Sequence, residues 1–155
     1  MNGVVKFTEA VSLALHAMAF LAAQRDRRFQ IHDIAGALKV SPSHLAKVMQ
    51  RLAKIGLIRS VRGRAGGFVL ARDPEEITAL EIYEAVEGPL EIRQCLFPEP
   101  QCRGTCMLGD TLAKASGLIR DRLSRASLTE LSAVFSETPP GKRRPRPAKV
   151  AGRRS

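Results

Sequence analysis

From Thr8 to Ala23 apolar residues recur at α-helical spacing, with Val11, Leu15, Met18 and Ala22 on one face and Ala14 and Leu21 beside them. Arg25 to Arg28 form a polar interruption. A short second helix is expected over Ile31 to Leu38, with Ile34, Ala35 and Leu38 as its buried side. Ser41 then stands where a side chain can cap the free amides of a new helix, and Pro42 suits the first helical position, where no donor is needed. Leu45, Val48, Met49, Leu52 and Ile55 give this third helix one apolar face, and Gly56 is its expected stop. Leu57 to Val61 and Phe68 to Ala71 read as short strands on either side of a glycine-rich loop, Arg62-Gly63-Arg64-Ala65-Gly66-Gly67. Three helices followed by a hairpin is the winged-helix order.

Downstream, Thr78 and Glu81 make a capping box for a helix carrying Leu80, Ile82, Ala85 and Val86, which Gly88-Pro89 ends. No period is visible from Leu90 to Thr105. After Cys106, Leu108, Leu112, Ala115, Ile119 and Leu123 trace an apolar stripe along a helix of about 20 residues. On pattern alone that stripe belongs to an intramolecular core. Ser127 and Glu130 suggest a second capping box, opening a short helix with Leu131 and Val134. Beyond Thr138 the chain is rich in Pro, Arg and Lys and cannot build a core, so a disordered basic tail is expected.

Composition sharpens this reading in two ways. Aromatic residues make up only 5% of the 155-residue chain, as befits a mainly helical fold with a small β-hairpin. The longest apolar stretch, Leu13 to Ala23, is interrupted by His16 and is too short to span a membrane, which points to the cytoplasm and to no membrane partner. The net charge of +10 is also unevenly placed. Seven basic residues fall between Lys142 and Arg154 with no acid among them. Within the folded part, Ile34 to Arg72 holds Lys39, Lys47, Arg51, Lys54, Arg59, Arg62, Arg64 and Arg72 and not one Asp or Glu. Such a block is the electrostatic footprint of a polyanionic partner.

Double-stranded DNA fits that footprint. Reading a major groove takes hydroxyls and cations for phosphates, and amides or guanidinium groups for base edges. Ser41 and Ser43 open the third helix where a phosphate meets free amides, while His44, Lys47, Gln50 and Arg51 occupy its polar faces. Arg59 adds charge on the first strand, and the glycines of the wing let Arg62 and Arg64 approach the backbone or a minor groove. A solvated amphipathic helix and an ordinary hairpin would account for each feature singly; their joint order within one acid-free interval favours DNA. A binder driven by the tail alone would be salt-sensitive and blind to sequence.

The three cysteines, Cys95, Cys102 and Cys106, read C-x6-C-x3-C within the aperiodic loop. An odd number so closely placed argues against a disulfide framework and for a metal or redox site. Thiolates are soft ligands, suited to an iron-sulfur cluster or to tetrahedral zinc, and a disulfide, between Cys102 and Cys106 or between subunits, is a third possibility. A redox enzyme built on Cys102-Arg103-Gly104-Thr105-Cys106 is disfavoured by the extra intervening residue and by the lack of a paired base, so no enzymatic activity is expected.

Taken together, Leu13-Ala14-Leu15-His16, Val40-Ser41-Pro42-Ser43-His44-Leu45-Ala46-Lys47, Gly56-Leu57-Ile58-Arg59-Ser60-Val61-Arg62-Gly63, Arg64-Ala65-Gly66-Gly67-Phe68-Val69-Leu70-Ala71, Ile77-Thr78 and Glu87-Gly88-Pro89 resemble the Rrf-two family of bacterial winged-helix regulators, of the IscR and NsrR type. The likeness runs from about Phe7 to Glu137. It implies a transcription regulator, more often a repressor, that binds a palindromic operator as a homodimer through the long helix after the cysteine loop. It also implies an iron-sulfur cluster, 2Fe-2S or 4Fe-4S, on Cys95, Cys102 and Cys106, through which redox state, nitric oxide or cluster supply alters DNA affinity. Some members take a further ligand from the first helix of the second subunit, at a position matching Ser12; Glu9 lies one turn before it and His16 one turn after, and both are candidates. The organisation expected is a winged-helix DNA-binding domain over 1–88, a cluster-binding loop over 89–106, a dimerisation helix and short terminal helix over 107–137, and the tail over 138–155.

Overall fold

A computed structural model of the chain describes residues 5–97, 99 and 101–135; the expected tail lies outside them. Six helices and one hairpin follow in the order α1 (Glu9–Ala23), α2 (Ile31–Leu38), α3 (Pro42–Lys54), β1 (Ile58–Val61), β2 (Gly67–Leu70), α4 (Ala79–Glu87), α5 (Gly109–Arg125) and α6 (Leu128–Ser132), closed by a 3₁₀ turn at Ala133–Phe135. This is the mainly helical winged helix-turn-helix that the periodicity predicts.

The central element is α1. Its periodicity suggests one buried face, yet nine of its fifteen residues are buried, among them Leu13, Ala17, Ala19 and Phe20 on the remaining sides. The reason is legible afterwards: 17–22 is apolar at every position, and a helix apolar all round has to be enclosed. It packs against α2, α3, α4 and α6 and against β2. The Thr8 hydroxyl caps it by accepting from the Val11 amide at 3.3 Å.

Helices α2 and α3 meet across a tight turn. Lys39 closes α2 in the left-handed region at φ 56°, its amide donating to the carbonyls of Ala35 and Gly36. A reciprocal Gln30–Asp33 capping box opens α2. Ser41 does not cap α3 with its side chain; its Oγ lies 2.9 Å from Ser43 Oγ instead, so the two hydroxyls satisfy one another. Leu45, Val48, Met49 and Leu52 are buried as expected, whereas Ile55, the C-cap residue, is 51% exposed.

The hairpin is antiparallel with register Ile58–Leu70, Arg59–Val69, Ser60–Phe68 and Val61–Gly67. The polar loop after α1 contributes a further rung: Phe68 N–H donates to Phe29 O at 2.8 Å, and Phe29 N–H to Phe68 O at 3.4 Å. The capping box of α4 forms, with Thr78 Oγ1 accepting from the Glu81 amide at 3.2 Å and Glu81 Oε2 from the Thr78 amide at 2.9 Å. At α6 only half of the anticipated box exists. Ser127 Oγ accepts from the Glu130 amide, but the Glu130 carboxylate accepts from Arg122 at 2.8 Å and so crosses to α5.

The long helix α5 spans 17 residues and buries only Gly109 and Ser116. Ile119 and Leu123 lean on the core, while Ala115 is exposed and Leu108 is 48% exposed, so the apolar stripe lies half outside the fold. Among the described residues no helix is long and apolar enough to cross a membrane.

Candidate nucleic-acid interface

The apolar face of α3 fixes which side chains remain outside. With Leu45 and Met49 fully buried, Lys47 and Gln50 are exposed on the opposite side, and Ser41 and Ser43 are exposed at the N-terminus. The wing stands beside them. A groove of about 470 Å³ runs between α3 and the hairpin, lined by Ala46 and Gln50 from one side and by Arg62, Gly63 and Phe68 from the other. The third helix and its hairpin therefore share one concave surface.

Glycine shapes the wing tip. The Gly66 amide donates to Gly63 O at 2.9 Å, closing a turn that lifts Arg64 clear of the protein. A Cβ on Gly66 would lie 2.3 Å from Val61 O, and one on Gly67 would lie 2.7 Å from Phe29 O. Neither close approach is compatible with a side chain.

Three predicted residues have partners that sequence spacing did not reveal. Arg51 is exposed, but its Nη1 donates to Val86 O at 2.9 Å, tying α3 to the last turn of α4. His44 is half-buried with Nδ1 3.5 Å from Glu9 Oε1, an ion pair whenever the imidazole is protonated, so a candidate DNA contact and a candidate metal ligand meet at the junction of α1 and α3. Arg59 does not line the groove. It belongs to a separate pocket with Val69, its cross-strand partner.

The base of the hairpin is clamped by Arg72, which donates to Glu81 Oε1 at 2.7 Å and to Glu76 O at 2.9 Å. Burial pushes the Glu81 carboxyl up, but hydrogen bonds from Arg72 and the Thr78 amide outweigh it and hold the group below its ordinary range. The same clamp raises Arg72, chiefly through the hydrogen bond to Glu81.

Cys95 is half-buried and Cys102 and Cys106 are exposed, all three as free thiols. A Cβ placed on Gly109 would lie 3.0 Å from Gln94 O and 3.7 Å from Cys106 Cβ, so the chain beside Cys95 passes over the start of α5 next to Cys106. Among the described residues no three His, Cys, Asp or Glu side chains converge as a metal site. His16 is exposed on α1, its Nδ1 2.7 Å from Ser12 O. A carbonyl can only accept, so Nδ1 donates in that contact and Nε2 is the ring nitrogen it leaves unengaged.

A capped helix-turn-helix with a basic, glycine-tipped hairpin defines a winged-helix DNA-binding protein. Residues 7–133 match the Rrf2 family model, described as an iron-dependent transcriptional regulator, and the chain belongs to that family. It is 35% identical over 141 residues to the HTH-type transcriptional regulator NsrR of Geobacillus kaustophilus, covering 80% of this chain and 96% of that one. Its fold is similar to that of CymR, the global cysteine regulator of B. subtilis, with a TM-score of 0.73 and 24% identity over 84% of this chain and 98% of that one. Staphylococcus aureus CymR in its oxidized form is similar at a TM-score of 0.68 and 27% identity, over 83% and 96% of the two chains.

Proposed function

We propose that the chain is a homodimeric, sequence-specific transcription regulator, a repressor, that binds a palindromic operator in the cytoplasm. In this reading Ser41 and Ser43 hold a phosphate at the start of α3, Lys47 and Gln50 face the major groove, and Arg62 and Arg64 of the wing enter the adjacent minor groove. The observation that carries it is the shared groove between Gln50 and Arg62, whose lining holds no acidic residue. His44 and Arg51 frame that surface, and Arg59 flanks it. Exposed Leu118 on α5 and Met107 just before it, at 71% and 87%, favour this segment as the dimer seam.

Cys95, Cys102 and Cys106 do not converge in the described structure, but as soft donors they suit an iron-sulfur cluster, 2Fe-2S or 4Fe-4S, and the family's description as iron-dependent supports that reading. The fourth ligand would come from α1 of the second copy. His16 suits that role through Nε2, the ring nitrogen turned away from Ser12 O, and Glu9 does so at the expense of its contact with His44. When bound, the cluster supplies one-electron redox chemistry and reactivity towards small oxidants. A second reading, thiol oxidation or zinc without a cluster, is favoured by the exposure of Cys102 and Cys106 and by the likeness to the oxidized form of CymR.

The test is binding of duplexes selected by the protein from a random pool. Lys47→Ala and Gln50→Ala should each weaken the selected site by about 1–3 kcal/mol, with relaxed base preference only for Gln50→Ala. Unchanged affinity in both would refute the assignment. Anaerobic absorption with iron, sulfide and zinc analysis separates cluster, zinc and bare thiol.

A further inference from the structure

The hairpin face turned away from α3 is basic too. Phe68 lines the α3 groove, whereas its neighbour Val69 and that residue's cross-strand partner Arg59 line a pocket on the other side, and Val61 borders both. There Arg59 lines a pocket of about 320 Å³ together with Arg25, Arg27 and Arg28 from the loop after α1 and with Arg72 and Asp73 beyond β2. Val69 and Leu70 contribute apolar floor. Five arginines and one acidic residue thus line it.

That carboxylate is already engaged. Asp73 accepts from Arg25 at 2.8 Å and from the Glu75 amide at 2.9 Å. Arg72 is held by Glu81 and Glu76, and the Arg27 guanidinium lies 5.2 Å from the centroid of the Phe29 ring. Arg28 and Arg59 have no acidic partner among the described residues. Cations gathered in a concave, partly apolar site repel one another and raise the local potential, which an arriving anion relieves. Guanidinium forks match the geometry of phosphate oxygens, and the volume is at the small end of ligand pockets.

We propose that this pocket binds a phosphoryl oxyanion, with Arg28 and Arg59 as its direct contacts and Arg25 and Arg72 as fixed walls. The phosphate comes either from the backbone of DNA flanking the half-site read by α3 or from a free phosphorylated compound. The first source extends the DNA footprint; the second gives the protein a small-molecule input separate from the cysteine loop.

Inorganic pyrophosphate is titrated calorimetrically into the full chain and into Arg28→Gln/Arg59→Gln at constant ionic strength. In parallel, the salt dependence of binding is measured on a selected duplex with and without about ten extra base pairs at each end, roughly one helical turn. A free ligand is indicated if pyrophosphate binds the wild type and binds the double variant at least about tenfold more weakly, with an unchanged salt slope. Flanking DNA is indicated if the slope of log K against log salt becomes shallower by about 1 in the variant, on the longer duplex only. The proposal is overturned if pyrophosphate binds both proteins equally or neither, and the slopes coincide. Melting without ligand should not fall, since the substitutions relieve repulsion, and Arg59→Lys, which keeps the charge but loses the fork, should give an intermediate loss. Failure to select any duplex would count against the regulator reading and leave the pyrophosphate titration to decide this one.

Discussion

Arg51 and Lys47 lie one turn apart on α3 and look equivalent in sequence, yet the structure assigns them opposite consequences. Arg51→Ala deletes a charge-assisted bond of 2.9 Å to Val86 O. Such bonds contribute about 1.5–3 kcal/mol when enclosed, but Arg51 is exposed, and solvent screening brings the expected loss to about 1 kcal/mol. For a folded unit of this size that lowers the melting temperature by about 3–5 °C. Lys47 has no partner among the described residues, so Lys47→Ala should move stability by less than about 0.5 kcal/mol. On DNA the order reverses: Lys47→Ala should make the salt dependence shallower by about 1, and Arg51→Ala should leave it nearly unchanged. Urea denaturation at one fixed protein concentration and fluorescence anisotropy over a salt series measure the two quantities. If Arg51→Ala keeps full stability while its salt slope falls, the bond to α4 carries no weight and the assignment of roles on α3 is wrong.

Other outcomes follow from single contacts. Gly67→Ala would set a methyl group 2.7 Å from Phe29 O and open the rung that joins the loop to the hairpin; a loss of about 1–3 kcal/mol in urea melts, with DNA binding weakened at least about tenfold, is expected, and a neutral result would refute the steric argument. Ser116→Ala removes a fully buried hydroxyl that has no hydrogen-bond partner among the described residues, so stability should hold or rise by up to about 1 kcal/mol, and a clear fall would reveal a partner for that hydroxyl. The Glu81 carboxyl is held below its ordinary range, so its contribution is present above the unfolded-state value and fades as pH falls through the folded one. The stability gap between wild type and Glu81→Gln should accordingly be constant near neutrality and close in acid below the ordinary carboxylate range; a gap that persists there would argue against the Arg72 clamp.

Much of the scaffold could be read from local signals because local physics decides it. Pro42, Thr78 and the glycines at 56 and 88 mark helix ends through their own backbone preferences, and the structure places Gly56 and Gly88 at φ 76° and 83°. The apolar face of α3 likewise follows from spacing alone. The failures concern choices between several available partners. Ser41 could cap α3 or pair with Ser43, and Glu130 could return to Ser127 or reach Arg122; in both cases the local motif allowed two bonds and the neighbouring side chain took one.

The interface itself shows why charge and role are separable. A block of basic residues predicts the sign of the potential over 34–72, but not which cation faces which side of a strand or which carbonyl lies within reach. Arg59 and Arg62 are three residues apart, and strand alternation together with the turn after Val61 sends one to the arginine pocket and the other to the α3 groove. Arg25, Arg27 and Arg28 look like an ordinary polar loop until the Phe29–Phe68 rung brings that loop against the hairpin. Arg51 is tied to Val86, 35 residues further along and two before Gly88, where the cysteine-bearing connection begins. The helix proposed to face DNA and the loop that carries the thiols are thus joined through one turn of α4, a connection that depends on tertiary packing and leaves no trace in the spacing of either segment.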